Sequence, residues 1–149
     1  MKVKIQKENI NFAEELELFS TRNFNSGSIV LFLGKVRERS IYGKVKSIFI
    51  ENYEEMNKLL LKELINNIKR KYSIDDSIVI HRFGKLNVGE NIVLVLIASQ
   101  HREEAFKALT ELVNWLKVNA TFWKKEITDK GEFWVEQKKS DVQKIKSSF

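Results

Sequence analysis

The run Asn91–Ser99 (NIVLVLIAS) limits how this chain can fold more than any other segment. Its apolar residues are continuous, and its length suits a strand and falls far short of the roughly 20 residues that a membrane span requires. An amphipathic helical pattern follows directly, and its apolar stripe comprises Ala105, Ala108, Leu109, Leu112, Trp115 and Leu116. A strongly apolar strand joined to an amphipathic helix predicts a sheet with helices packed against it.

Further strands are predicted from apolar runs and the turn residues between them. They are Ser28–Gly34, Val45–Tyr53, Ser77–Gly84, an extended segment over 119–127 and a strand over 133–137. A polar loop is expected between the first two, over 35–44, and hairpin turns are expected at 87–90 and near Gly131.

Further helices are predicted on either side of these strands. A capping box formed by Asn11 and Glu14 predicts a short helix that ends near Ser20. A longer helix over about 55–72 is predicted, with an inward face of Met56, Leu59, Leu60, Glu63, Leu64, Ile68 and Tyr72. A short helix is also expected from about Ser140. The order is α, β, β, α, β, β, α and a hairpin, which predicts one α+β domain over 1–149 with a mostly antiparallel sheet.

The absence of cysteine excludes several kinds of chemistry. This chain cannot use a disulfide framework, a thiolate zinc site, a cysteine nucleophile or a cysteine sulfur carrier. No short spacing of His, Asp and Glu indicates a metal site, so neither a metal nor a cofactor is expected. No signal-peptide pattern appears near the N-terminus, which makes the cytoplasm the expected location.

Charge points to an anionic partner, and three polar clusters are candidates for binding it. The net charge of +6 favours nucleic acid, a phosphorylated small molecule or an acidic protein, although lysine-rich surfaces often serve solubility alone. The clusters each follow an apolar element, where folds usually place sites. They are Arg37 with Arg39, His101 with Arg102, and Lys117 with Lys124 and Lys125.

Each cluster can also be explained by a purely structural role, and the residues alone do not decide between that role and a functional one. Loop arginines such as Arg37 are commonly solvated, and His101 suits a helix cap. Lys117 is favourable at a helix C-terminus on electrostatic grounds. Phe122 and Trp123, which directly precede Lys124, can serve core packing rather than a pocket wall.

Taken in order, several segments resemble the catalytic, larger subunit of molybdopterin synthase. They are FLGKVRERS, IENYEEM, IVIHRFGKLNVGE, IASQHREEAF and LKVNATFWKKE followed by GEFWVE, and they extend from about Ser28 to Lys138. The resemblance implies an α/β hammerhead-type fold and a sulfurtransferase that converts cyclic pyranopterin monophosphate to molybdopterin. It also implies a homodimer with a small ubiquitin-like subunit at each end, whose C-terminal Gly-Gly thiocarboxylate supplies the sulfur.

The resemblance assigns roles to particular residues. Lys117 and Lys124 correspond to the two active-site lysines, and Arg37, His101 and Arg102 to substrate-binding positions. Lys138 stands where an arginine usually reaches the neighbouring subunit's pocket, and it keeps the charge without the bidentate fork. Thr121 stands where a proline is common. The sequence does not decide which lysine is the base, although the rigid helix end favours Lys117.

Two alternative functions are also considered. A small basic nucleic-acid-binding module is permitted by the charge and the aromatics, but these aromatics lie in apolar runs and no nucleic-acid motif is present. A scaffold that only holds the small subunit is less consistent with the presence of both Lys117 and Lys124.

Overall fold

A computed structural model describes residues 1–135, which form two β-sheets and three helices. The strands are β1 Lys2–Gln6, β2 Ser28–Lys35, β3 Arg39–Ser40, β4 Gly43–Asn52, β5 Ile74–Arg82, β6 Gly84–Asn87, β7 Asn91–Ser99, β8 Phe122–Thr128 and β9 Gly131–Trp134. The helices are α1 Phe12–Arg22, α2 Glu54–Tyr72 and α3 Arg102–Val118. The prediction of an α+β fold with mostly antiparallel sheets is confirmed.

The first sheet has the strand order β1-β5-β7-β2 and is covered on both faces. One face packs on α1, where the fully buried Phe19 joins a cluster that includes Ile80 and Leu94. The other face belongs to the larger core and carries α2 and α3. This double cover explains why β7 is continuously apolar, since a strand with one solvated face would alternate.

The second sheet has the order β3-β4-β8-β9, with β6 also paired to β4. Antiparallel register places Lys124 of β8 opposite Ile50 of β4, and Lys125 opposite Phe49. Ile50 is fully buried, whereas Phe49 is exposed. Because successive side chains of a strand point to opposite faces, this register directs Lys124 inward and Lys125 outward.

The N-terminus of α1 carries the predicted cap in a modified form. The Glu14 backbone N–H donates to Asn11 Oδ1 at 3.4 Å, as the capping box requires. The return contact runs from Asn11 Nδ2 to Glu14 Oε2 at 2.9 Å, so Glu14 accepts from the Asn11 side chain. The helix extends to Arg22, two residues beyond the predicted end.

The predicted inward face of α2 was only partly correct: Leu64 and Ile68 are buried as predicted, but the buried face is rotated away from Met56 and Leu59. Leu59 and Met56 are exposed, and the buried residues are Asn57, Leu61, Leu64, Ile65 and Ile68. Leucines at 59, 60 and 61 allow two neighbouring stripes, and the apolar pattern alone favoured the stripe that begins at Met56. The polar residue Asn57 occupies the start of the true stripe, where its hydrogen bonds make burial tolerable.

Three strands lie outside the predicted set, and part of the C-terminal prediction lies outside the described residues. β1 is a lysine-rich strand that pairs in parallel with β5, and β3 is a two-residue strand in the predicted loop. β6 begins at Gly84, which has φ of +83° and lies two residues after the end of β5, and it pairs with β4 of the second sheet. The predicted strand over 133–137 is described only to residue 135, with β9 at Gly131–Trp134, and the helix expected from Ser140 lies beyond that limit. Within 1–135 no helix has the length and apolarity to cross a membrane.

Candidate active site

A cavity of about 1320 Å³ lies between the first sheet, α3 and the second sheet. Its walls are mostly apolar, from residues such as Phe32, Ile48 and Phe122. The charged residues that line it are Lys35, Arg37, Lys117 and Lys124, with the carboxylates Glu51 and Glu126. The excess of cations in a concave, largely apolar site makes it suited to an anionic ligand.

Three different elements deliver the predicted cationic residues to this cavity. Arg37 lies two residues after the end of β2, Lys117 lies on the last turn of α3, and Lys124 lies within β8. Only residues 119–121 separate α3 from β8, so the chain reverses between the two lysines. The structure thus brings Arg37, Lys117 and Lys124 together.

Lys124 has an unusual electrostatic environment. Burial by the surrounding protein lowers its pKa from the ordinary value, and the charges of Lys117 and Arg37 lower it further. The carboxylate of Glu126 opposes this effect without cancelling it. A lysine with a lowered pKa holds more free amine near neutral pH, and free amine is the form that acts as a base or nucleophile. Lys117, by contrast, is exposed.

His81 forms the floor of the cavity beside Lys124. Its ring stacks on Phe122 with 3.7 Å between centroids and 7° between planes, and the residue is buried. Burial and the charge of Lys124 lower its pKa to about 3, although a hydrogen bond to the Arg82 carbonyl opposes the shift. In neutral histidine one ring nitrogen donates, and a carbonyl only accepts. Nδ1 therefore donates to the Arg82 oxygen at 2.8 Å, which leaves Nε2 as an acceptor.

The two aromatics before the lysines have different roles. Phe122 is buried against His81 and fixes the start of β8 in the core. Trp123 is exposed over more than half of its surface and contributes to the cavity rim. Phe122 is therefore in the core, as one of the two interpretations predicted, whereas Trp123 is not, because only alternate residues of a strand face the core.

Lys125 points away from the cavity, as expected for an extended segment. Its ammonium pairs with Glu132 at 3.1 Å and lies 5.7 Å from the centre of the Trp134 ring. Lys124 and Lys125 are thus adjacent in sequence but occupy different environments.

His101 and Arg102 do not join the other predicted residues within one chain. His101 is the N-cap residue of α3 and makes no side-chain capping bond, and both residues are exposed. Arg102 and Lys117 lie at opposite ends of α3, roughly 22 Å apart at 1.5 Å per residue. Of the site residues predicted from the sequence, Arg37, Lys117 and Lys124 thus line the cavity within one chain, whereas His101 and Arg102 do not. Lys138 lies outside the described residues.

Four polar cavity residues were not predicted as site residues from the sequence: Lys35, Glu51, His81 and Glu126. His81 interrupts a continuous apolar run, which was the one available signal that a polar group enters the core. Glu126 is two residues from Lys124 on a strand and shares its face, so strand periodicity indicates it once the strand is known. In the part of the chain that the structure describes, no three His, Cys, Asp or Glu residues cluster as metal ligands.

Comparison with known proteins identifies one family. The family described as MoaE protein matches residues 5–119. The molybdopterin synthase catalytic subunit of Pyrococcus abyssi is 40% identical over 129 residues, which cover 87% of this chain and 86% of that protein.

Solved structures share the fold. The molybdopterin biosynthesis MoaE protein from Burkholderia ambifaria gives a TM-score of 0.82 at 28% identity, covering 99% of this chain and 98% of that one. A complex of subunits 1 and 2 of the molybdopterin-converting factor from Helicobacter pylori gives a TM-score of 0.76 at 18% identity, covering 91% of each chain. The second likeness concerns the fold alone.

Proposed function

The chain belongs to the MoaE protein family, and on this basis we propose that it is the catalytic subunit of a molybdopterin synthase. The reaction is the conversion of cyclic pyranopterin monophosphate to the dithiolene of molybdopterin. The observation that carries the proposal is the convergence of Arg37, Lys117 and Lys124 on one cavity.

The electrostatics of the cavity suit this chemistry. The substrate carries a cyclic phosphate and the sulfur donor ends in a thiocarboxylate, so two anions must approach each other. Fixed cations offset their repulsion, and the paired donors of Arg37 suit a phosphate. The mostly apolar walls strengthen these interactions relative to water. Bringing both reactants together is itself a large contribution to rate, worth several kcal/mol in well-oriented systems.

We assign the two lysines different roles. Lys124 has the lowered pKa and sits on a strand of the core, so it acts as the base or nucleophile. Lys117 is exposed on the last turn of α3 and holds an anion as a charged ammonium. This reverses the preference for Lys117 that its place on a helix end had suggested.

The sulfur donor is a second protein subunit. The Pyrococcus relative is described as a catalytic subunit, and the Helicobacter structure of the same fold is a complex of two subunits. We propose that the partner is small and ubiquitin-like and inserts an extended Gly-Gly tail. A volume of about 1320 Å³ exceeds the roughly 300–1,000 Å³ typical of small-ligand sites, which leaves room for both reactants.

A second copy of this chain completes the site in our proposal. His101 and Arg102 are too far from Lys117 to serve the cavity of their own chain. In a homodimer they can serve the other copy's cavity, and two small subunits then make a heterotetramer. Lys138 has the same proposed role. The reaction is proposed to take place in the cytoplasm.

The nucleic-acid alternative is less favoured by the same residues. Base stacking on a binding surface requires exposed aromatics beside cations. Trp123 and Trp134 are exposed near lysines, but Phe122 is buried, and the cations of the cavity lie inside a concave site with two carboxylates. The family relationship also favours the enzyme.

Reconstitution tests the proposal. The purified chain is mixed with cyclic pyranopterin monophosphate and a small subunit that carries a C-terminal thiocarboxylate, and the dithiolene product is measured. Product that depends on all three components is expected. Lack of product with a demonstrably bound, thiocarboxylated partner would contradict the proposed function.

A further inference from the structure

Asn57 is a polar residue in the core for which the proposed reaction has no direct use. It lies on the first turn of α2 and is fully buried. It begins the same helix stripe as Leu61, Leu64 and Ile65, where an apolar residue is expected. A buried amide is costly unless its hydrogen-bonding groups are satisfied, so its contacts indicate its role.

The Asn57 side chain makes four hydrogen bonds, and three of them go to Thr121. Its Oδ1 accepts from the Thr121 backbone N–H at 2.9 Å and from the Thr121 hydroxyl at 2.7 Å. Its Nδ2 donates to the Thr121 carbonyl at 3.3 Å and to Asn52 Oδ1 at 2.8 Å. Because a backbone N–H only donates and a carbonyl only accepts, these contacts fix which end of the amide is oxygen.

Thr121 occupies the point where the active-site segment reverses direction. It is the last residue between α3 and β8, four residues after Lys117 and three before Lys124. The next residue, Phe122, pairs with Asn52 in the β4–β8 register. The Asn57 amide thus joins the first turn of α2, the end of β4 and the start of β8 at one point.

The separation of the two lysines depends on this segment. The connection over 119–121 contains neither proline nor glycine, so its own sequence does not fix its path. Lys124 is faced by Lys117 from α3, Arg37 after β2, His81 from β5 and Glu126 on its own strand. A shift of the β8 start changes the distance to each of these charges.

We propose that Asn57 is a positioning residue, which clamps Thr121 and thereby holds Lys117 and Lys124 in the relative arrangement that the reaction requires. The positioning role of Asn57 rests on the proposed function only for its expected effect on turnover. Its effect on the geometry of the cavity is independent of what the cavity binds.

The test compares four variants with the wild type. Asn57→Leu keeps a similar volume and removes all four bonds, and Thr121→Val removes only the hydroxyl bond. Thr121→Ser keeps the hydroxyl and is the conservative control. Tyr72→Phe is a matched control for stability, because it removes the hydrogen bond from Tyr72 to Glu111 at the other end of α2.

Two quantities are measured on each variant: turnover per folded enzyme, and the titration of Lys124. Lysine labelled with ¹³C at Cε gives the titration by NMR, and the Lys124→Arg variant assigns the signal. For Asn57→Leu we expect kcat to fall about tenfold to a hundredfold, the range typical of small misplacements, while the pKa of Lys124 rises toward 10.5. Thr121→Val shows smaller changes in the same direction, and Thr121→Ser and Tyr72→Phe resemble the wild type in both.

A purely structural role for Asn57 gives a different result. In that case Asn57→Leu lowers the melting temperature as Tyr72→Phe does, but kcat per folded enzyme and the Lys124 titration stay at wild-type values, which overturns the proposal. If Asn57→Leu does not fold, Thr121→Val decides by the same two readouts. If the wild type makes no product, the proposed function fails, and the Lys124 titration alone still decides the positioning role.

Discussion

Replacing Lys124 by alanine is expected to abolish most turnover while leaving the fold intact. Lys124 lines the cavity and has a lowered pKa, and its side chain makes no ion pair or hydrogen bond with another residue of the described chain. Loss of a catalytic base or nucleophile costs on the order of a hundredfold or more in rate. A hundredfold corresponds to about 2.7 kcal/mol in the activation free energy.

The free energy of unfolding is expected to change little in the same variant. The charged form of Lys124 is disfavoured by burial, Lys117 and Arg37, so its removal relieves an unfavourable interaction at neutral pH. Because its folded pKa lies below 10.5, the wild type gains stability as pH rises from that folded pKa toward 10.5. The Lys124→Ala variant lacks this gain in stability. Denaturant unfolding of both proteins at several pH values measures the difference in the free energy of unfolding.

Lys125→Ala is the matched control, since it removes the neighbouring ammonium. It loses the ion pair with Glu132 and the contact with the Trp134 ring. Exposed interactions of this kind contribute under about 1 kcal/mol each to stability. Its turnover is therefore expected to stay within about twofold of the wild type, since it leaves the cavity unchanged.

Lys124→Arg separates charge from proton transfer. Arginine keeps the positive charge but does not lose its proton in proteins. If Lys124 acts as a free amine, Lys124→Arg is as inactive as Lys124→Ala, whereas an anion-holding role leaves it largely active. The assay is initial-rate dithiolene formation with saturating partner. Equal damage in Lys125→Ala and Lys124→Ala would show that bulk positive charge, rather than a specific lysine, controls the rate.

Three further outcomes are expected. The folded pKa of His81 is about 3, below its unfolded value of 6.5, so His81 destabilises the fold progressively as pH falls from 6.5 toward 3. The melting temperature of His81→Phe should therefore depend less on pH over that range than the melting temperature of the wild type. Burial opposes ionisation of Asp76, but hydrogen bonds from the Met1 amino group, Asn23, the Ser77 amide and Arg22 lower its pKa to about 2. Asp76→Asn should therefore lower the free energy of unfolding by about 2 kcal/mol at pH 7, as measured by urea unfolding. The difference from the wild type should disappear as pH falls through 2. Mixed dimers of Lys124→Ala and Arg102→Ala chains should regain up to about half of the wild-type turnover, because one of their two cavities then has both residues intact. No recovery of turnover in verified mixed dimers would contradict the proposal that Arg102 serves the cavity of the other copy.

The location of the site could be predicted in part from local sequence. The helix stripe of α3 fixes Lys117 on its last turn, and the extended segment that follows turns Lys124 inward and Lys125 outward. These are local periodicities of 3.6 and 2, which short segments encode directly.

Non-local pairing explains what the sequence did not predict. β1 and β5 are paired in parallel although more than 70 residues separate them, and nothing within KVKIQ specifies that partner. The stacking of His81 on Phe122 depends on how the two sheets meet. The α2 stripe was misplaced because a hydrogen-bonded Asn57, rather than an apolar residue, begins it, and its partner Thr121 is 64 residues away.

A crystal structure with cyclic pyranopterin monophosphate bound tests the central claim most directly. Our account predicts that the substrate lies in the cavity, with its phosphate about 3 Å from donors of Arg37 or Lys117 and its ring system within reach of Lys124. A substrate bound at another surface in a preparation that turns over normally, with Lys117 and Lys124 free of contacts to it, would contradict this account.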